Sequence, residues 1–201
     1  MHPEIVGDRL DGHPGIAVAG DPDNVVTELF RIRPGYNDIL PAHPARQANS
    51  DVTYPCSRPH KRGKAFEGLL TDLFLIFDME PRLSYSLAHE QIDGSLSFDT
   101  DDYIVEARWR QESTGREHLD VFKTKVERKG RNALGIFVSV NTFSADALVQ
   151  YGSSSPFVVF TGDDLFMVLD GRIGLDDLLR AKKRHVNETG DCNLPARSLV
   201  L

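Results

Sequence analysis

The chain has 201 residues, of which 40% are hydrophobic, and a formal net charge of −7 at pH 7. This length and composition suit one ordinary globular domain with some additional chain. The acidic balance excludes a generally polyanion-coating protein, so any nucleic-acid site has to be a local basic patch. The apolar runs are shorter than a bilayer span requires, and the N-terminal stretch lacks a signal peptide's basic and apolar regions. We therefore expect a cytoplasmic protein with no membrane partner.

Residues 1–60 differ in composition from the rest of the chain. Eight of the eleven prolines lie there, and periodic apolar patterning is weak. We interpret this segment as a Pro-rich N-terminal extension or arm, and we predict one domain over residues 61–190 and a C-terminal tail over 191–201. Cys56 and Cys192 are far apart and outside any zinc-binding spacing, so free thiols are expected.

Regular patterning begins with KAFEGLLTDLFLIF, residues 64–77. Its apolar residues recur at helical spacing, which predicts a helix with one buried side. The segments RLSYSL and IDGSLSF alternate apolar and polar residues and predict two strands. The polar DTDD predicts a turn that joins the second strand to YIVEARW as a hairpin.

The second half of the chain predicts alternating helices and strands. STGREHLDVFKTKVERKG is typical of a helix that Ser113 or Thr114 caps and Gly130 ends. Its predicted buried stripe is Leu119, Phe122 and Val126. ALGIFVSV predicts a buried strand, FSADALVQYG a short helix, PFVVF another strand and LDDLLRAKKRHV a closing helix. Strands in a hairpin followed by a helical crossover predict a mixed α/β sheet.

The strand YIVEARW carries a carboxylate and a cation on one face. Residues i and i+2 of a strand point the same way, so Glu106 and Arg108 project together while Val105 and Ala107 face the core. The hairpin brings Asp93 near Glu106. Two carboxylates can hold a hard divalent ion such as Mg²⁺, which activates a water and neutralises a phosphodiester in the transition state. The alternative is an exposed strand face with an ordinary ion pair.

These segments, in this order, resemble the PD-(D/E)xK nuclease superfamily in its Mrr-like, restriction-endonuclease-like branch. The similar stretches are RGKAFEGLLTDLF, IDG, VEARW, KTKVERKG, LGIFVSVNTFSADAL and FVVFTGDDLFMVLDGRIGLDDLL. The resemblance implies a restriction-endonuclease-like mixed β-sheet core flanked by helices, in the order α-β-β-β-α-β. It implies Asp93 and Glu106 as metal ligands, Glu67 as an additional acidic ligand, and Mg²⁺ as the cofactor, with Mn²⁺ as a substitute.

Arg108 stands where this family usually has lysine. Lysine is a compact cation that can change its protonation state when buried, whereas arginine remains charged. A role in orienting phosphate survives this change, and a role in proton transfer does not. The resemblance implies a Mg²⁺-dependent DNA endonuclease that hydrolyses phosphodiester bonds in restriction or defence against foreign DNA. The alternative is a catalytically degenerate nuclease-fold protein that binds nucleic acid or a partner.

Basic residues around the first two helices supply the local patch that DNA requires, because phosphate contacts provide most nonspecific affinity. Lys125 is the best single choice, and Lys64 and Arg128 are further candidates. Gln91 points the same way as Asp93 and would contact a metal-bound water or phosphate. The alternative for these cations is a solvated helix surface paired with neighbouring acids. Double-strand cleavage favours two active sites, so residues 1–60 are also candidates for a homodimer or partner interface.

Overall fold

The computed structural model of the protein describes residues 59–87 and 90–200. The predicted extension over residues 1–60 lies almost entirely outside this part, and so does Cys56. Helix α1 (Pro59–Ile76) leads into strands β1 (Pro81–Leu87), β2 (Glu90–Phe98) and β3 (Asp101–Arg108). After them come α2 (Arg116–Glu127), β4 (Ala133–Ser139), α3 (Ala145–Gln150) and β5 (Phe157–Thr161). The chain continues with α4 (Gly162–Leu169), α5 (Leu175–Thr189) and a 3-10 turn at Ala196–Ser198.

The five strands form one mixed sheet in the order β1-β2-β3-β4-β5. The pairs β1–β2 and β2–β3 are antiparallel, and β3–β4 and β4–β5 are parallel. Asp99 and Thr100, with φ of 52° and 71°, form the tight turn between β2 and β3. Two successive residues with positive φ are typical of a type I′ turn, whose twist matches that of the two strands of a β-hairpin. The predicted hairpin and the predicted mixed α/β sheet are confirmed.

Helices cover both faces of the sheet. Tyr103 and Val105 of β3 belong to a core cluster with residues of α1, α4 and α5, whereas Ile104 packs with residues of α2 and α3. This alternation follows from the period of two along a strand. The predicted buried stripe of α2 is confirmed, with Leu119, Phe122 and Val126 all within 2% exposure.

The ends predicted for α2 are wrong. Gly115, not Ser113 or Thr114, is the N-cap, and the helix ends at Glu127 with Arg128 as its C-cap. Thr114 is buried and its hydroxyl lies 2.8 Å from that of Ser139. Thr114 therefore links the loop after β3 to the end of β4 by a hydrogen bond and does not cap the helix.

Helix α4 has no counterpart among the predicted elements. Its FMVL stretch follows a buried strand and is itself buried, so the local pattern does not separate strand from helix. A reciprocal capping box between Thr161 and Asp164 starts the helix. The predicted tail over residues 191–201 includes Cys192 and Ala196, each 1% exposed, and Cys192 is a free thiol. No helix in the described part of the chain has the length and apolar composition that a bilayer span requires.

Candidate active site

Glu106 is a buried carboxylate held by two cations. Its exposure is 3%, because it lies on the face of β3 that α2 covers, beside the buried Ile104. Arg108 Nη2 donates a hydrogen bond to Oε1, and Lys125 Nζ of α2 donates to Oε2 at 2.6 Å. The predicted shared face of Glu106 and Arg108 is confirmed by their ion pair. The alternative of an exposed strand face is wrong for Glu106.

Asp93 lies where β2 and β3 separate. The last residue pair between these strands is Gly94 with Val105, so residues 106–108 of β3 pair with β4 alone. Beyond that pair, Asp93 Oδ2 accepts a hydrogen bond from the backbone N–H of Ala107 at 3.1 Å. The carboxylate thus takes the place of a strand partner and is fixed at the open end of the hairpin, next to Glu106.

Burial raises the pKa of the Asp93 carboxyl above its ordinary value. The Ala107 N–H lowers this pKa, the Glu106 carboxylate raises it further, and the cations Arg108 and Lys125 lower it. A carboxylate pair in one site disfavours double ionisation, and a bound cation would relieve that repulsion. Asp93 is therefore poised to gain from a positive ligand.

Glu67 reaches the same region from the opposite side of the sheet. It lines a small cavity of about 20 Å³ together with Asp93, Val105 and Ala107. Glu106 does not line this cavity, because it points to the α2 side. Within residues 59–87 and 90–200, no group of three or more His, Cys, Asp or Glu side chains is placed to hold a metal ion. Asp93 shares this cavity with Glu67, and its pKa is also affected by the charge of Glu106.

The donor chemistry fits a hard, hydrated divalent ion held by few protein ligands. Mg²⁺ takes oxygen ligands, keeps several waters, and is often bound by one or two carboxylates together with substrate phosphates. Asp93 and Glu106 supply two such carboxylates, and Glu67 lines the cavity beside Asp93. A closed protein cage, as structural zinc requires, is not present among the described residues.

Arg108 carries a donor that is unpaired among the residues that the structure describes. Its Nε is buried and has no hydrogen-bond partner within the described part of the chain, while Nη2 binds Glu106. A buried donor without a partner is costly and calls for an explanation. An oxygen of a bound phosphate is a suitable acceptor for it, since arginine recognises phosphate through paired N–H groups.

The other predicted contacts are more dispersed. Lys64 is an exposed residue of α1, and Arg128 is exposed at the end of α2. Gln91 pairs with Ser86 in the backbone ladder of β2 and β1, and its side chain lies outside the described part. Lys125 was predicted as a phosphate contact, and its ion pair with Glu106 was missed. The signal for that pair is faint, because 19 residues separate the partners.

The comparison with family models identifies the kind of domain. The Mrr_cat family model, described as restriction endonuclease, matches residues 61–169, more than half of the chain. No curated protein sequence matches. The small subunit of the heterodimeric restriction endonuclease R.BspD6I is 14% identical with a TM-score of 0.43, covering 63% of this chain and 79% of that one.

Two further solved structures are similar at a comparable level. A repair endonuclease from Pyrococcus abyssi is 13% identical with a TM-score of 0.36, covering 54% of this chain and 49% of that one. The MspJI restriction endonuclease, solved with a 27-mer oligonucleotide, is 21% identical with a TM-score of 0.38, covering 68% of this chain and 34% of that one.

Proposed function

Because the chain belongs to the Mrr-like restriction endonuclease family of the PD-(D/E)xK superfamily, we propose that it is a divalent-metal-dependent DNA endonuclease that acts against foreign DNA. The observation that carries this proposal is the arrangement at the open end of the hairpin. There, the N–H of Ala107 fixes Asp93, the buried Glu106 carboxylate acts electrostatically on Asp93, and Arg108 Nε is buried without a hydrogen-bond partner among the described residues. The proposed cofactor is Mg²⁺, with Mn²⁺ as a substitute.

The residues have separable roles in phosphodiester hydrolysis. Asp93 and Glu106 would hold the ion, and Glu67, which lines the cavity beside Asp93, would be the additional acidic ligand. When bound, the ion lowers the pKa of a water and neutralises charge on the phosphate. Arg108 donates from Nε to a phosphate oxygen, where a fixed cation stabilises the charge that develops in the transition state. The Ala107 N–H keeps Asp93 in place.

Arg108 acts in this scheme as a charge and not as a proton carrier. An arginine guanidinium stays protonated, so Arg108 does not accept the proton of the attacking water. DNA backbone contacts are assigned to Lys64 of α1 and to Arg128, the C-cap of α2, and both are exposed. We propose that Gln91 contacts a metal-bound water or phosphate, because the strand pattern predicts that it points the same way as Asp93. The Pro-rich composition of residues 1–60 is the basis for proposing a homodimer or partner contact there.

A second function, a binding module without cleavage, is favoured by one observation. Both oxygens of Glu106 accept hydrogen bonds from cations of the protein, which satisfies the carboxylate without any metal. A catalytically degenerate nuclease site would show the same ion pairs. This function predicts DNA binding that does not depend on divalent ions.

Cleavage of supercoiled plasmid and of single-stranded DNA in Mg²⁺, Mn²⁺ or EDTA tests the proposal. We expect metal-dependent nicking that falls by at least about a hundredfold in Asp93→Asn and in Arg108→Ala. Arg108→Lys, which keeps the cation but has no Nε donor, should retain more activity than Arg108→Ala and less than wild type. The matched control is Asp72→Asn, an exposed residue of α1. Folded wild type that cleaves neither methylated nor unmethylated DNA would overturn cleavage and leave the binding module.

A further inference from the structure

Lys125 forms an ion pair with Glu106, the carboxylate that the proposed function assigns to metal binding. Its Nζ lies 2.6 Å from Glu106 Oε2, while Arg108 occupies Oε1. Both oxygens of Glu106 are therefore engaged by the protein. A divalent ion that binds Glu106 has to replace one of these donors or share an oxygen with it.

The charges of the site make it unfavourable for a divalent ion to share an oxygen of Glu106 with Arg108 or Lys125. Asp93 and Glu106 contribute two negative charges, and Arg108 and Lys125 contribute two positive ones, so the four groups together are neutral. A divalent ion placed against Glu106 would lie a few ångströms from both cations and be repelled by each. A DNA phosphate reduces this repulsion, because it adds negative charge to the site.

Lys125 is the donor that can leave. It extends from α2 to β3 on a flexible four-carbon stem, so its ammonium can move without any movement of the strand that carries Glu106. Arg108 lies on β3 itself, two residues from Glu106 in the same strand. Its position relative to Glu106 is fixed by the strand and by the pairing of Arg108 with Ser139 of β4.

We propose that Lys125 is an exchangeable counter-ion: it occupies Glu106 in the metal-free protein, and the divalent ion displaces it so that its ammonium binds a DNA phosphate. This inference rests on the proposed function for the identity of the metal site. It makes Lys125 a positioning residue before DNA binds and a phosphate contact afterwards. Metal and DNA then strengthen each other's binding by the same factor, as linkage requires.

Titration of the intact, DNA-free protein with Mn²⁺ tests the exchange directly. Lys125→Met removes the competitor, so we expect Mn²⁺ to bind at least about tenfold more tightly than to wild type. Lys125→Gln, which keeps a polar side chain, serves as a second variant and is expected to show the same gain. The matched control is Lys123→Met on the same helix, whose ammonium lies 3.6 Å from the exposed Glu127; its Mn²⁺ affinity should equal that of wild type.

A second measurement follows the released ammonium. In Ca²⁺, the affinity of Lys125→Met for a DNA duplex should fall by roughly tenfold relative to wild type and to Lys123→Met, with a smaller salt dependence. Equal or weaker Mn²⁺ binding by both Lys125 variants overturns the exchange. If wild type nonetheless cleaves plasmid, the proposed function stands without it. If the gain in Mn²⁺ affinity appears but wild type cleaves no DNA, the displacement of Lys125 by the metal is supported and the proposed nuclease activity is wrong.

Discussion

Replacing Glu106 with glutamine keeps the shape of a buried side chain and removes the charge that two cations share. The side chain is 3% exposed, and both of its oxygens accept charge-assisted hydrogen bonds. Glutamine offers one oxygen in their place, and its amide group adds donors that neither cation can accept. One ion pair is lost outright and the other becomes a charge-to-neutral hydrogen bond.

The expected loss in free energy of unfolding is about 1–3 kcal/mol. A hydrogen bond to a charged group contributes about 1.5–3 kcal/mol to stability. The side chains of Arg108 and Lys125 are 34% and 18% exposed, so water can solvate each of them after the carboxylate is gone. That solvation keeps the loss below the 3–5 kcal/mol or so typical of breaking a fully buried pair.

Urea denaturation of the metal-free protein at pH 7 measures this loss. The matched control is Glu127→Gln, an exposed residue whose pair with Lys123 spans 3.6 Å, and it should change stability by less than about 0.5 kcal/mol. The double variant Glu106→Gln with Lys125→Met should lose less than the sum of the single losses, because the two side chains share an interaction. If Glu106→Gln is as stable as wild type and the losses are additive, the ion pairs of Glu106 do not stabilise the folded protein.

Three further results are expected. The raised pKa of Asp93 means that the ionised carboxylate is less favourable in the folded protein than in the unfolded one, so the stability of wild type falls as the pH rises from 3.8 to the raised pKa. In thermal denaturation, Asp93→Asn should therefore be more stable than wild type at pH 7, and the difference should become smaller toward pH 4. Burial lowers the pKa of Lys182, which binds Asp164 at 3.0 Å. Asp164→Asn should therefore cost about 3–5 kcal/mol at pH 7 and less at pH 9 in urea denaturation, because the stranded lysine deprotonates more readily there; an equal cost at both pH values contradicts this. Gly135→Ala places a Cβ 2.7 Å from Phe122 and should lose about 1–3 kcal/mol in the same assay, with no loss expected for Gly68→Ala in an open position.

The local pattern of the sequence was sufficient for most of the fold. Period-two alternation in YIVEARW places Glu106 and Arg108 on one face whatever surrounds the strand, since this depends on backbone geometry alone. The turn DTDD and the apolar stripe of α2 are equally local features. The capping of α2 was predicted wrongly, because Thr114 forms a hydrogen bond with Ser139, a partner 25 residues away.

Helix α4 shows where local pattern fails. Its start depends on Asp164, which binds the backbone N–H of Ala196 at 2.7 Å and the ammonium of Lys182, as well as the N–H of Thr161. These partners come from three separate segments, and they allow a buried carboxylate where an apolar residue would be expected. Sequence spacing does not reveal them.

The site itself divides in the same way. Strand alternation was enough to predict that a carboxylate and an arginine share a face of β3, and the predicted hairpin placed Asp93 near Glu106. Three features follow from how the elements pack: β2 separates from β3 at Gly94, Asp93 accepts a hydrogen bond from the N–H of Ala107, and Lys125 reaches Glu106. Side-chain direction along a strand is set by the chain's own covalent geometry, whereas the meeting of a helix with a strand is set by how their apolar faces pack.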